Sequence, residues 1–165
     1  MAHDTHHHHK ESFFTKYIFS QDHKMIGKQY LLTAIFMGAI GITLSALFRM
    51  KLGWPDTQFS ILESILGSDA APDGMLDSNW YLGLVTLHGT IMVFFVLTGG
   101  LSGTFSNLLI PLQVGARDMA SGLMNMIAYW LFFLSSVLMA ASLFIETGPA
   151  MAGWTVYPPL SVLEE

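Results

Sequence analysis

His88 stands in an apolar run, LHGTIMVFF (Leu87 to Phe95), where an imidazole is costly unless something occupies its nitrogens. Tyr81 precedes it by seven residues, two helical turns away on the same face. At 1.5 Å per residue the imidazole lies about 10 Å below the boundary that the phenol marks. An iron porphyrin standing upright needs that pair: a nitrogen for the metal in the apolar zone and polar donors near water for its carboxylates. A histidine hydrogen-bonded to a neighbouring helix satisfies the same spacing, so both readings stay open at this point.

Two further groups carry chemistry. Ala34, Gly38, Gly41 and Ser45 fall on one helical stripe that leads to Arg49. Such stripes permit close helix packing, and they also leave a slot for a flat cofactor, with Arg49 as a fixed donor at its outer end. Gly99 and Gly103 make a second small pair, read as packing. Asn107, Asp118 and Asn125 gather around a short connection. Carboxamides order water and a carboxylate at the mouth collects protons, the makings of a proton entrance. Capping of the connection and a local Asp118–Arg117 ion pair are the plainer alternatives.

Other chemistries are excluded or unsupported. The chain has no Cys, which removes disulfides, iron–sulfur clusters and thiolate zinc sites. No Ser/His/Asp set, phosphate loop or facing carboxylate pair is evident within the apolar runs. Seven Lys+Arg against twelve Asp+Glu leave a net charge of −5 and no basic patch, so nucleic acid is not an expected partner. His3 and His6 to His9 form a histidine-rich tail, read as a solvated terminus rather than a metal site.

The elements that must position these residues are membrane helices. Hydrophobic residues make up 52% of the 165 and charged residues 12%, about half the charged share of a soluble domain. Tyr30–Phe48, Tyr81–Ala116 and Met119–Ile145 carry no Asp, Glu, Lys or Arg. Each is long enough for the roughly 20 residues of a crossing. The expected fold is all-α and transmembrane. A lead-in over 1–28 precedes three spans at 29–49, 80–112 and 122–146, with Pro111 and Gly115 ending the second. An acidic loop over 50–79 and a segment over 147–165 lie on one side, and a connection over 113–121 on the other.

Lys10, Lys16, Lys24, Lys28 and Arg117 place the N-terminus on the cytoplasmic or matrix side. Asp56, Glu63, Asp69, Asp73, Asp77 and Glu146 fall outside, where Arg49 and Lys51 break the charge rule. No short apolar run with a cleavage site precedes the first span, so no signal peptide is expected. Trp154 and Tyr157, in GWTVYPPL (Gly153 to Leu160), are expected at the outer interface.

DHKMIGKQY (Asp22 to Tyr30), the span ending in Arg49, LHGTIMVFF, NLLIPLQVGARDMA (Asn107 to Ala120) and GWTVYPPL together resemble the start of the haem–copper oxidase catalytic subunit. Within that family the cytochrome c oxidases are the nearest likeness. The resemblance covers about residues 13–160 and implies the N-terminal part of a twelve-helix bundle. It implies that His88 is an axial ligand to the iron of low-spin haem a and that Arg49 bonds its formyl group. It implies that Tyr81 and Trp154 hold a propionate, and that Asp118, Asn107 and Asn125 form the mouth of the D proton pathway.

High-spin haem a3, copper and their ligands are expected in later helices, so these residues alone are not expected to reduce dioxygen. Expected partners are the remaining helices, a copper-bearing subunit II, cytochrome c or a membrane-bound cytochrome, and the lipid bilayer. A bacterial plasma membrane is the expected location, with the mitochondrial inner membrane as the alternative. A quinol oxidase and a non-redox three-helix membrane protein remain the competing functions.

The family pattern is not matched everywhere. Met126 stands where a second asparagine is common, and Lys51 where an outer metal-binding carboxylate is found, which argues against a calcium or sodium site there. The 50–80 loop is longer than in compact mitochondrial members and reads as an exposed excursion.

Overall fold

The computed structural model describes residues 12–145, 148–159 and 162. The His-rich tail and Glu146 lie outside these residues. Among them there is no strand, and three helices are long and apolar enough to cross a membrane. The first, α1 (His23–Gly53), starts six residues ahead of the expected 29. Asp22 sets that start: its backbone is extended and its carboxylate accepts from the Lys24 amide, satisfying a donor that the first helical turn leaves free.

A loop then carries a short helix, α2 (Ser60–Leu66), across the end of the bundle where α1 stops, the outer end in the expected topology. This loop is not the open excursion its Gly, Asp and Pro content suggests. Leu62 and Leu76 are each 1% exposed and Ala71 fully buried, and they share one core cluster with Met37, Leu44, Leu84 and Leu87. Burying two leucines contributes roughly 1.5–3 kcal/mol each, enough to seat the loop on the helices. The acidic residues point outward around this apolar foot, and Asp56, Glu63, Asp69 and Asp73 are all exposed.

The second span, Ser78–Val114, runs without a break through three sections. α3 (Ser78–Thr90) is capped by Asp77, whose carboxylate accepts from the Asn79 and Trp80 amides. A π-helical section over Ile91–Ser102 follows, and α4 (Gly103–Val114) completes the span. Pro111 does not end it. Only one turn remains beyond the proline, so the missing donor costs a single bond near the end of the helix. The stop comes at Gly115, which takes the left-handed conformation (φ 69°) that a side chain would resist.

The third span is α5 (Gly122–Ala141), extended by a 3-10 turn over Ser142–Phe144. Ser121 caps it by accepting from the Met124 amide.

α1 packs against every section of the second span and against α5. The crossing is close because the facing residues are small. A Cβ on Gly100 would collide with Ala34, one on Gly103 with Tyr30, and one on Gly99 with Phe132. The helix-packing reading of both small-residue patterns is therefore realised. The lead-in is tied to the inner end: Gln29 donates to the carbonyls of Tyr17 and Ile18, and Trp130 also donates to Ile18.

Candidate functional site

The outer site is built where α1 passes α3. His88 sits on the last turn of α3, three residues before the π-helical section begins, and π turns within α-helices often mark functional positions. Its Nδ1 lies 2.7 Å from the Gly41 carbonyl oxygen. A carbonyl only accepts, so Nδ1 carries the proton and donates. In the neutral ring Nε2 then keeps a free lone pair, and no hydrogen bond reaches it among the described residues.

Of the two readings of His88 left open by spacing, the structure shows the hydrogen bond to a neighbouring helix, and Nε2 has no hydrogen-bond partner among the described residues. That division is how proteins orient metal-binding histidines, with a fixed acceptor behind the ring. Phe48 lies edge-on to both His88 and Tyr81, with ring centroids 5.6 and 6.0 Å away, and bridges the two turns between them. Gly41 is the stripe residue this arrangement depends on. A Cβ there would meet the Met92 sulfur at 2.8 Å, so a larger residue requires that side chain to move or the helices to part.

An upright porphyrin fits what these residues offer: a neutral imidazole with one free nitrogen, a phenol two turns above, and an apolar flank. Ala34, Gly38, Met92, Val96 and Gly100 line an open groove of about 460 Å³ beside this contact. At the outer end, Tyr81 shares a second cavity of about 340 Å³ with Lys51, Leu52, Pro55 and Ser78. Arg49 is exposed, with no hydrogen bond or ion pair among the described residues.

Trp154 is not brought to Tyr81. The segment after α5 turns back along α3: Gly148 approaches Trp80, Pro149 approaches Gly83, and the Gly153 amide donates to the Thr86 hydroxyl. This leaves the indole against Gly89 and 6.3 Å from the Phe94 ring, deeper along the helix than the outer interface expected for it. Small residues at 83, 86 and 89 leave the strip that this segment fills.

The inner site joins three helices. Asn125 of α5 donates to the Asn107 side-chain oxygen at 2.5 Å, and Asn107 donates to the Gly103 carbonyl at 2.8 Å. Asn107 is 2% exposed, so this pair is a satisfied polar element inside an apolar bundle. Asp118 stands apart from it and reaches α1 instead. Its carboxylate accepts from His23 Nδ1 at 2.9 Å, from the Met119 amide at 2.8 Å and from the His23 amide at 3.4 Å. The Arg117 ion pair is not formed; the partner is His23, itself 2% exposed.

Desolvation works to raise the Asp118 pKa, but the Met119 amide and the His23 bonds outweigh it and hold the carboxyl below its ordinary range. His23 is the residue the sequence reading missed. The available signal was its position one residue after a capping aspartate at the start of a span. Asp22, His23 and Asp118 place one ligand atom each within 4.8 Å of one another. The two carboxylates already hold the first amides of α1, which accounts for the cluster without an ion.

Residues 25–165 match the family described as cytochrome c and quinol oxidase polypeptide I. The alternative cytochrome c oxidase subunit 1 of Bradyrhizobium diazoefficiens is 44% identical over 155 residues, covering 94% of this chain and 24% of that protein. Cytochrome c oxidase subunit 1 of Cereibacter sphaeroides is 35% identical over 96% of this chain and 31% of its own length. That of Mytilus edulis is 37% identical over 92% and 25%. The chain thus spans between about a quarter and a third of the length of these relatives. With a family match over nearly all of its described helices, the chain belongs to the cytochrome c and quinol oxidase polypeptide I family.

Proposed function

We propose that this chain supplies the first three spans of a cytochrome c oxidase subunit I, with His88 as one axial ligand of low-spin haem a. The observation that carries the reading is the His88 imidazole, anchored through Nδ1 on the Gly41 carbonyl with Nε2 left free. Bound there, the haem supplies one-electron transfer. The protein's part is to fix the tautomer and orientation of the His88 imidazole through the Gly41 carbonyl. His88 would supply one imidazole nitrogen to the iron, and the rest of the subunit would supply the other protein ligand.

Arg49 bonds the haem formyl group in this reading, and Tyr81 receives a propionate. Trp154 is assigned to the same propionate by the family likeness alone, since its indole here lies against Gly89. Asp118 collects protons at the inner mouth, and the Asn107–Asn125 pair orders water behind it. The complete enzyme, with high-spin haem a3 and copper, reduces dioxygen to water and translocates protons. It receives electrons from cytochrome c through the copper-bearing subunit II. A cytochrome c donor is favoured over quinol because the relatives described above all bear cytochrome c oxidase names. The setting is a bacterial plasma membrane with the N-terminus cytoplasmic.

A visible spectrum of the purified complete complex tests this. Low-spin bis-histidine bands present in the wild type and absent in His88→Ala are expected. A complex with no such bands, or bands indifferent to His88→Ala, would overturn the assignment.

A further inference from the structure

Lys24, Lys28, Leu32 and Phe36 follow one another every four residues and form a single slanting ridge on α1. All four are exposed, the two apolar ones to 67 and 65%. Neither lysine has an ion pair among the described residues. Like charges one turn apart repel, and an ammonium in the first turn stands at the unfavourable end of the helix dipole. Both positions therefore gain from an anion outside the helix. Asp22 is turned to the Lys24 amide instead. The uncharged run begins at Tyr30, so the lysines stand at the depth of headgroup phosphates.

Beyond the lysines the ridge enters a cavity of about 290 Å³ between α1 and α5, where Leu32 and Phe36 face Tyr129, Phe133 and Val137. Its hydroxyls are already spent. Thr33 and Tyr129 bond each other at 3.2 Å, and Ser136 donates to the Phe133 carbonyl at 2.7 Å. Such walls suit a hydrocarbon chain better than water. The cavity shares no lining residue with the groove beside His88. The lead-in bridges the same two helices, since the Ile18 carbonyl accepts from both Gln29 and Trp130. It thereby holds the exposed Phe13 and Phe14 rings at headgroup level, where aromatic side chains anchor in a bilayer.

We propose that the seam between α1 and α5 holds one anionic phospholipid, with its phosphate on Lys24 and Lys28 and an acyl chain in the cavity at Leu32 and Phe36. Two ammonium groups on one ridge favour a headgroup of net negative charge over one that carries its own cation. The inference needs only the membrane spans and is independent of the haem assignment.

The test reconstitutes the complete complex in phosphatidylcholine vesicles that contain a trace of phosphatidylglycerol with a photoreactive acyl chain. A phosphatidylcholine with the same chain serves as comparison. After illumination, cross-links are mapped on the peptides that carry Leu32–Phe36 and Tyr129–Ser136. Phosphatidylglycerol is expected to exceed phosphatidylcholine about fivefold or more, the scale of one basic side chain at an anionic surface. Lys24→Gln combined with Lys28→Gln brings the two yields together, and the corresponding pair of Arg substitutions keeps them apart. Visible bands matching the wild type show that each variant complex is intact. Equal yields in the wild type, or an excess that survives the Gln pair, would overturn the proposal. So would the absence of cross-links from either lipid, which would mean that protein covers the seam.

Discussion

The two ends of this bundle each tie α1 to a neighbour through a histidine, His23 of α1 itself at one end and His88 of α3 at the other, and the two imidazoles meet opposite kinds of acceptor. At the inner end the His23 ring is sealed in and its Nδ1 is committed to the Asp118 carboxylate, which also accepts two amides. The Asn107 and Asn125 carboxamides likewise satisfy one another. At the outer end His88 meets a neutral main-chain oxygen, and its second nitrogen has no hydrogen-bond partner among the described residues. The inner end thus spends a ring nitrogen on a charged carboxylate, while the outer end spends one on a neutral carbonyl. The two imidazoles differ in the charge of the acceptor placed beside them.

The strongest way to break this contrast is to remove each histidine in the complete complex. His88→Ala should abolish the low-spin haem bands entirely, and His23→Ala should leave them in place; a bleached His23→Ala would end the division of labour. Asp118→Asn should slow turnover about tenfold or more, the usual scale for losing a positioned proton carrier, with an unaltered visible spectrum. Unchanged turnover and pumping would remove Asp118 from the proton path.

Gly41→Ala sharpens the outer half. The added methyl meets the Met92 sulfur, and crowding of this kind costs roughly 1–3 kcal/mol. Haem content per protein should fall partway and thermal stability with it; full haem content at wild-type stability would show that the Gly41 contact is not needed. The smallest effect is in pH. The Asp118 carboxyl is held below its ordinary range, so its contribution to stability is complete above that range and is lost as pH falls below it. Protection factors at the start of α1, which divide out the intrinsic slowing of exchange in acid, should therefore fall on acidification in the wild type and lose that dependence in Asp118→Asn. Equal pH dependence in the two would show that the capping role is absent.

Much of this arrangement is legible in the sequence, and the limits have physical causes. Charge-free runs locate all three spans, because lipid tolerates few charges over that length. Their ends are less legible. Asp22 extends α1 toward the N-terminus, and Pro111 fails to stop α4 because the cost of a proline depends on how much helix follows it. Depth and face single out His88, but its partner at Gly41 is a main-chain atom on another helix, and no residue type announces it. Asn107 and Asn125 are recognisable as polar residues in lipid, and their contact follows from antiparallel neighbours joined by a short connection. His23 escapes notice because it lies at the edge of the apolar run. Its burial arises only when the 115–121 connection folds back over it. The 50–80 loop carries the turn residues of an open excursion, and only the spacing of Leu62, Ala71 and Leu76 hints that it has an underside.

The atom that orients the imidazole of His88 belongs to the peptide bond, which has a consequence for how this site can vary. No amino-acid exchange at position 41 deletes an oxygen that every residue carries. Drift in the sequence can reach it only by changing the separation of the two helix axes. Girth at the crossing, rather than polarity, is therefore the quantity that tunes the His88–Gly41 contact.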